Sequence, residues 1–167
     1  MAFNFYEGVT LQQLQKIERE VGPFYYYNTS LLCQTLETIN KELSSTPHFH
    51  VHYAIKANAN SELLTLVRKA GLGVDCVSGG EVQRALEVGF APKGIVFAGV
   101  GKSDREIRTA LKAGISCFNV ESLPEMEVIN ELAKQLHVKA RLAFRVNPNV
   151  DAHTHEKITT GLHENKF

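Results

Sequence analysis

The sequence predicts an α/β fold built on a parallel sheet, either a barrel or a doubly wound open sheet. Two observations carry this. From about His50 onward the chain repeats one unit: an apolar strand, a polar helix start, an amphipathic helix and, in most copies, a glycine stop. Strands alternating with helices at this spacing imply right-handed crossovers between parallel neighbours. The second observation is where the reactive residue types fall. Lys56, Asp75, Lys102, Glu121 and Arg145 all stand at or just after the C-terminal end of a strand-like run, the edge on which both architectures build their sites.

Taken in order, Thr10-Leu11-Gln12-Gln13 has the spacing of a capping box. Leu11, Leu14, Ile17 and Val21 continue as a helical stripe up to Gly22-Pro23, which predicts a helix over 10–21. Phe24-Tyr25-Tyr26-Tyr27 reads as a short aromatic strand. Asn28-Thr29-Ser30 offers caps for a second helix, with Leu32, Leu36, Ile39 and Leu43 on its buried side, and 44–48 is a loop. In the strand over 51–56, Val51, Tyr53 and Ile55 share one face while His52, Ala54 and Lys56 share the other. Further strands are predicted over 73–77, 94–98, 115–120 and 139–146. Ser78, Ser103 and Ser122, each followed three residues later by Glu81, Glu106 and Glu125, give three capping boxes. Gly71, Gly89 and Gly114 are placed as C-terminal stops, whereas the helix from Pro124 runs out near 135–137.

Composition narrows the function classes. The chain has 167 residues, 44% of them apolar and 22% charged, enough for the core of one ordinary globular domain. Eighteen basic residues balance eighteen acidic ones, so no nucleic-acid or anionic-membrane partner is indicated and the ligand should be small. Cys33, Cys76 and Cys117 are odd in number and widely spaced, which argues against a disulfide framework and fits a reducing cytoplasm. No apolar run approaches a membrane span, and residues 1–8 lack a basic region followed by an apolar one, so nothing marks the chain for export.

Lys56 is read as the reactive residue. A lysine ending a strand can be partly desolvated, which favours its neutral form and attack on a carbonyl. Small Ala54 one pleat below leaves flat space that suits an aromatic ring. The plainer alternative is a lysine snorkelling to solvent. Asp75 ends the next strand, and Ser78 with Glu81 is accounted for by helix capping. Gly99-Val100-Gly101-Lys102-Ser103 invites a phosphate-loop reading, but that pattern needs a glycine at 96, where Val96 stands in mid-strand. Lys102 is therefore taken as a rim residue. Arg141, Ala143, Arg145 and Asn147 share a face, and a buried-facing Arg145 needs an anion, either Glu121 or a ligand. His48, His50 and His52, with His153 and His155, raise a metal site, but no carboxylate or cysteine joins either group at ligand spacing, so none is assigned.

The run Tyr53-Ala54-Ile55-Lys56-Ala57-Asn58-Ala59-Asn60 resembles the cofactor-lysine segment of the fold-type III pyridoxal-phosphate decarboxylases, whose barrels are of the alanine-racemase-like type. The stretches around Asp75 and over Arg145-Val146-Asn147-Pro148 are similar to the same family. The run 145–161, followed by Lys166-Phe167, resembles its diaminopimelate decarboxylase branch more than the ornithine or arginine branches. The resemblance extends from about Pro23 to the last residue. It implies a partial pyridoxal-phosphate-binding (β/α)8 TIM barrel of about five strand-helix units, with 1–24 a helical lead-in and 25–167 the N-terminal part of the barrel domain.

The resemblance also implies roles. Lys56 would carry pyridoxal 5'-phosphate as a Schiff base, with Ala54 beside the ring, Asp75 holding the lysine's charge and orientation, and Arg145 near the cofactor's phenolic oxygen. The reaction would convert meso-2,6-diaminopimelate to L-lysine in a cytoplasmic homodimer that shares its active sites. The phosphate loop, the ring-stacking group and a C-terminal β domain would lie beyond residue 167, so these 167 residues alone are expected to be inactive and prone to associate. An ornithine- or arginine-type decarboxylase, a barrel that carries the cofactor without catalysis, and an open five-stranded sheet with no cofactor remain the other readings.

Overall fold

In a computed structural model that describes residues 8–46 and 48–150, the chain divides into two units, Met1–Phe49 and His50–Phe167. The first holds α1 (Leu11–Val21) and α2 (Thr29–Leu43). Helix α1 starts on the expected box: Thr10 Oγ1 accepts from the Gln13 N–H at 3.2 Å, and Gln13 Oε1 accepts from the Thr10 N–H at 2.7 Å. Asn28 caps α2 through the Leu31 N–H at 3.0 Å, and Leu36 on the expected face is buried. The aromatic run 24–27 is not a strand; it is irregular, with Tyr25 89% exposed. Aromatic β-propensity is realised only against a ladder partner, and among the described residues none pairs with it.

The second unit contains β1 (His52–Ala54), α3 (Ser61–Lys69), β2 (Gly73–Cys76), α4 (Gly79–Val88), β3 (Ile95–Phe97), α5 (Asp104–Ala113), β4 (Cys117–Val120), α6 (Leu123–Gln135) and β5 (Leu142–Phe144). All four strand pairs are parallel, in the order β1-β2-β3-β4-β5. Each strand thus lies beside its sequence neighbour with one helix between. A doubly wound sheet reverses its order at a switch point, whereas a barrel never does, so the order selects the partial barrel. The strands are three or four residues long, shorter than the runs expected, because the flanking residues enter turns. The largest such change follows β1, where Ile55–Ala57 forms a 3-10 turn.

Register sorts the side chains onto two faces. Cys76, Phe97, Phe118 and Leu142 are ladder partners on one face, and the first three are buried. Leu64, Val82, Ile107 and Ile129 on the helices between these strands are likewise fully or almost fully buried, and each such side chain contributes about 1.5–3 kcal/mol. Ala54, Asp75, Val96 and Cys117 are partners on the other face and only half-buried. This second face is free to form a site.

One close approach sets the lower end of that face. A Cβ on Gly73 would lie 2.5 Å from His52 Cδ2 and 2.7 Å from the Gly94 carbonyl oxygen. Gly73→Ala is therefore expected to destabilise the protein by about 1–3 kcal/mol, since the imidazole can move but the carbonyl belongs to the backbone. A denaturant midpoint unchanged from wild type would show that the strands separate freely there.

Candidate active site

The C-terminal rim begins with Lys56 inside the 3-10 turn, not at the end of a strand. The strand ends at Ala54 and the chain enters the turn, in which Ile55 is completely buried and Lys56 is exposed. Lys56 is thus exposed among the described residues and not partly enclosed as expected. The rest of the segment holds this geometry. Tyr53 Oη donates to the Asn58 carbonyl at 3.2 Å, Asn58 Oδ1 accepts from the Asn60 N–H at 2.8 Å, and Asn60 Oδ1 caps α3 through the N–H groups of Glu62 and Leu63. The two asparagines are structural parts of the site that sequence reading passed over. Their signal was Asn-x-Asn directly before a helical run.

Asp75 sits in β2 in register with Ala54, two residues before Lys56. Its Oδ1 is buried without a hydrogen-bond partner, a costly arrangement for a carboxylate unless a donor arrives. Next to it, burial first and then the Glu81 and Asp75 carboxylates push the Cys76 thiol up to about 12, so it stays protonated and unreactive. Ser78 Oγ caps α4 through the Glu81 N–H, but Glu81 reaches past the cap to accept from the Val77 N–H at 2.7 Å. Only the Ser103–Glu106 box is closed on itself among these three. Glu106 also accepts from the Gly79 N–H at 2.7 Å, tying the starts of α4 and α5 together. The hydroxyl of Ser103, then the backbone N–H groups of Ser103 and Gly79, hold its carboxyl below the usual range.

On the far side of the sheet the structure corrects two expectations. Lys102 is not an open rim residue. Its side chain is 1% exposed, and Nζ donates to the Gly99 and Asn119 carbonyls at 2.7 and 2.9 Å and to Glu125 Oε1 at 2.5 Å. Arg145 does not face inward into cover; its side chain is 40% exposed, whereas its ion-pair partner Glu121, at 3.4 Å, is 3% exposed. Arg145 follows an edge strand, and among the described residues no strand lies beyond β5 to bury it.

The structure thus brings Ala54 and Asp75 together and leaves Lys56 exposed two residues after Ala54, while the Arg145–Glu121 pair stands two strands further along the same rim. Among the described residues no cluster of three or more histidine, cysteine, aspartate or glutamate side chains could hold a metal. His153, His155 and the run 151–167, including Gly161, Lys166 and Phe167, lie outside the described residues.

Residues 31–167 match the family described as pyridoxal-dependent decarboxylase, pyridoxal binding domain. The chain belongs to this decarboxylase family. A diaminopimelate decarboxylase of Bacteroides thetaiotaomicron is 59% identical over 145 residues, covering 87% of this chain and 38% of the relative. One from Pseudomonas aeruginosa is 44% identical over 163 residues, covering 98% of this chain and 39% of the relative. The chain therefore spans a little over a third of the length of these curated relatives. Among solved structures, the diaminopimelate decarboxylase of Helicobacter pylori complexed with L-lysine superposes with a TM-score of 0.74 at 47% identity, covering 81% of this chain and 34% of that one. The enzyme of M. jannaschii in co-complex with L-lysine gives 0.76 at 39% identity, covering 91% and 36%.

The residues present fit a pyridoxal group. The family's cofactor carries an aldehyde and a flat ring. The rim offers an accessible primary amine, a half-buried alanine beside it, and an orphaned carboxylate oxygen on the neighbouring strand.

Proposed function

We propose that the complete protein is a diaminopimelate decarboxylase in which this chain supplies the residue that binds the cofactor. The observation that carries the reading is an exposed Lys56 in the turn directly after β1, two residues beyond Ala54, whose register partner Asp75 has a buried oxygen without a donor, in a chain of this family. Lys56 would hold the cofactor through Nζ, its amine condensing with the aldehyde carbon as the aldehyde oxygen leaves in water. Asp75, whose buried oxygen lacks a donor, holds the positive charge and direction of that nitrogen. Ala54 leaves the ring room. Arg145 would supply a guanidinium for the cofactor's phenolic oxygen, where it would stabilise negative charge. When bound, pyridoxal phosphate supplies an electron-accepting ring for the pair left as the Cα–carboxylate bond breaks.

Substrate choice rests on the relatives, two of which bind L-lysine, the product expected here. A cytoplasmic homodimer completes the reading, and three cysteines that all remain free thiols fit a reducing compartment. Among the described residues no helix is long and apolar enough to cross a membrane. Offered meso-diaminopimelate, lysine, ornithine and arginine, the complete protein is expected to release carbon dioxide appreciably only from the first. Preference for ornithine or arginine would move it to another branch of the family.

A further inference from the structure

The β3–β5 side of the rim contains a carboxylate that the proposed chemistry leaves without a task. Glu121 is 3% exposed; its Oε1 accepts from the Gly99 N–H at 3.3 Å and from Arg145 Nη1 at 3.4 Å, and its Oε2 is buried with no partner. Its position is fixed from behind. The Glu121 N–H donates to Glu125 Oε2 at 2.9 Å, Glu125 Oε1 is held by Lys102 Nζ, and Lys102 is in turn bound to the Gly99 and Asn119 carbonyls. The anion thus sits on a rigid frame drawn from the β3–α5 and β4–α6 connections, while its cation hangs from an edge strand with 40% of its side chain in solvent.

That asymmetry decides which partner orients the other. Ordering an exposed arginine costs side-chain entropy, so its direction must come from a fixed contact. A carboxylate with one oxygen weakly shared and the other unpaired is half used, and a guanidinium has two parallel N–H groups that can satisfy both. Alternation from Ala143, which is in register with Asn119, puts Arg145 on the same face of the sheet as Asp75. We propose that Glu121 is the positioning residue for Arg145, holding the guanidinium by a two-pronged contact so that it points over the face carrying Ala54 and Asp75 in the cofactor-loaded protein. This rests on the function proposed above, in which Arg145 meets the cofactor's phenolic oxygen.

The test is made on the complete protein loaded with pyridoxal phosphate, comparing Glu121→Gln, Arg145→Gln, Arg145→Lys and the double variant Glu121→Gln/Arg145→Gln. Three quantities are read: the cofactor dissociation constant, the absorption maximum of the bound cofactor, and the thermal midpoint. Each single variant is expected to weaken cofactor binding by about tenfold and to move the absorption band in the same direction, with the double variant no worse than the worse single one. Arg145→Lys should resemble Arg145→Gln, because an ammonium keeps the charge but cannot make the two-pronged contact. If Glu121→Gln lowers the thermal midpoint while affinity and band stay at wild-type values, Glu121 only braces the loops and the inference falls. A wild-type protein that binds no cofactor would overturn the functional reading and this inference together, an outcome visible before any variant is made.

Discussion

Lys56→Ala is expected to lower carbon dioxide release from meso-diaminopimelate by roughly four orders of magnitude or more, the scale seen when a covalent group is removed from an active site. Borohydride reduction of the loaded protein should fix the cofactor to the peptide containing Lys56 in the wild type, and to no peptide in the variant. Stability should barely change. Lys56 is exposed and its aliphatic stem fills no core space, so the cost stays within about 0.5 kcal/mol. The other lysine that sequence placed on this rim is disqualified by its surroundings: all three protons of the Lys102 ammonium have acceptors, and its side chain is 1% exposed. Its amine is enclosed and has no approach path. A reduced label mapping to Lys102, or to any lysine other than Lys56, would remove the assignment at its root.

What the sequence made legible was local. Helix starts at Thr10, Asn28, Ser78, Ser103 and Ser122 could be read because a cap and the backbone N–H that donates to it lie within three residues of each other. The order of strand-helix units followed from the same periodicity, and so did the rim on which Lys56 and Asp75 stand. What escaped required knowledge of distant neighbours. Continuing β1 through Lys56 looked sound from alternation alone. The chain instead enters a 3-10 turn over Ile55–Ala57, with Ile55 fully buried and the lysine exposed. The aromatic run 24–27 had strand propensity without a strand to pair with. That Lys102 is a buried member of the rim escaped for the same kind of reason: its acceptors Asn119 and Glu125 are 17 and 23 residues away in sequence. The unpaired oxygens of Asp75 and Glu121, which mark where ligands and cations are wanted, have no sequence signature at all.

Lys102→Met is expected to be the most destabilising single change on this rim. The ammonium is enclosed by the Gly99 and Asn119 carbonyls and Glu125, lies 5.5 Å from the centre of the Phe97 ring, and has almost no contact with solvent. Methionine matches its length and apolar stem, so the substitution opens little cavity and isolates the electrostatic part. It leaves the Glu125 carboxylate, itself only 13% exposed, without its cation and two carbonyls without a donor. Breaking a buried pair from one side costs about 3–5 kcal/mol, mostly the penalty of the stranded charge. That origin predicts the rescue. Adding Glu125→Gln removes the charge while keeping an oxygen to accept the Glu121 N–H, so the double variant should recover a substantial part of the loss. Denaturant midpoints of the complete protein measure both steps. A Lys102→Met protein within about 1 kcal/mol of wild type, or a double variant weaker than the single one, would mean that the three contacts to Lys102 do not hold the β3–α5 and β4–α6 connections together.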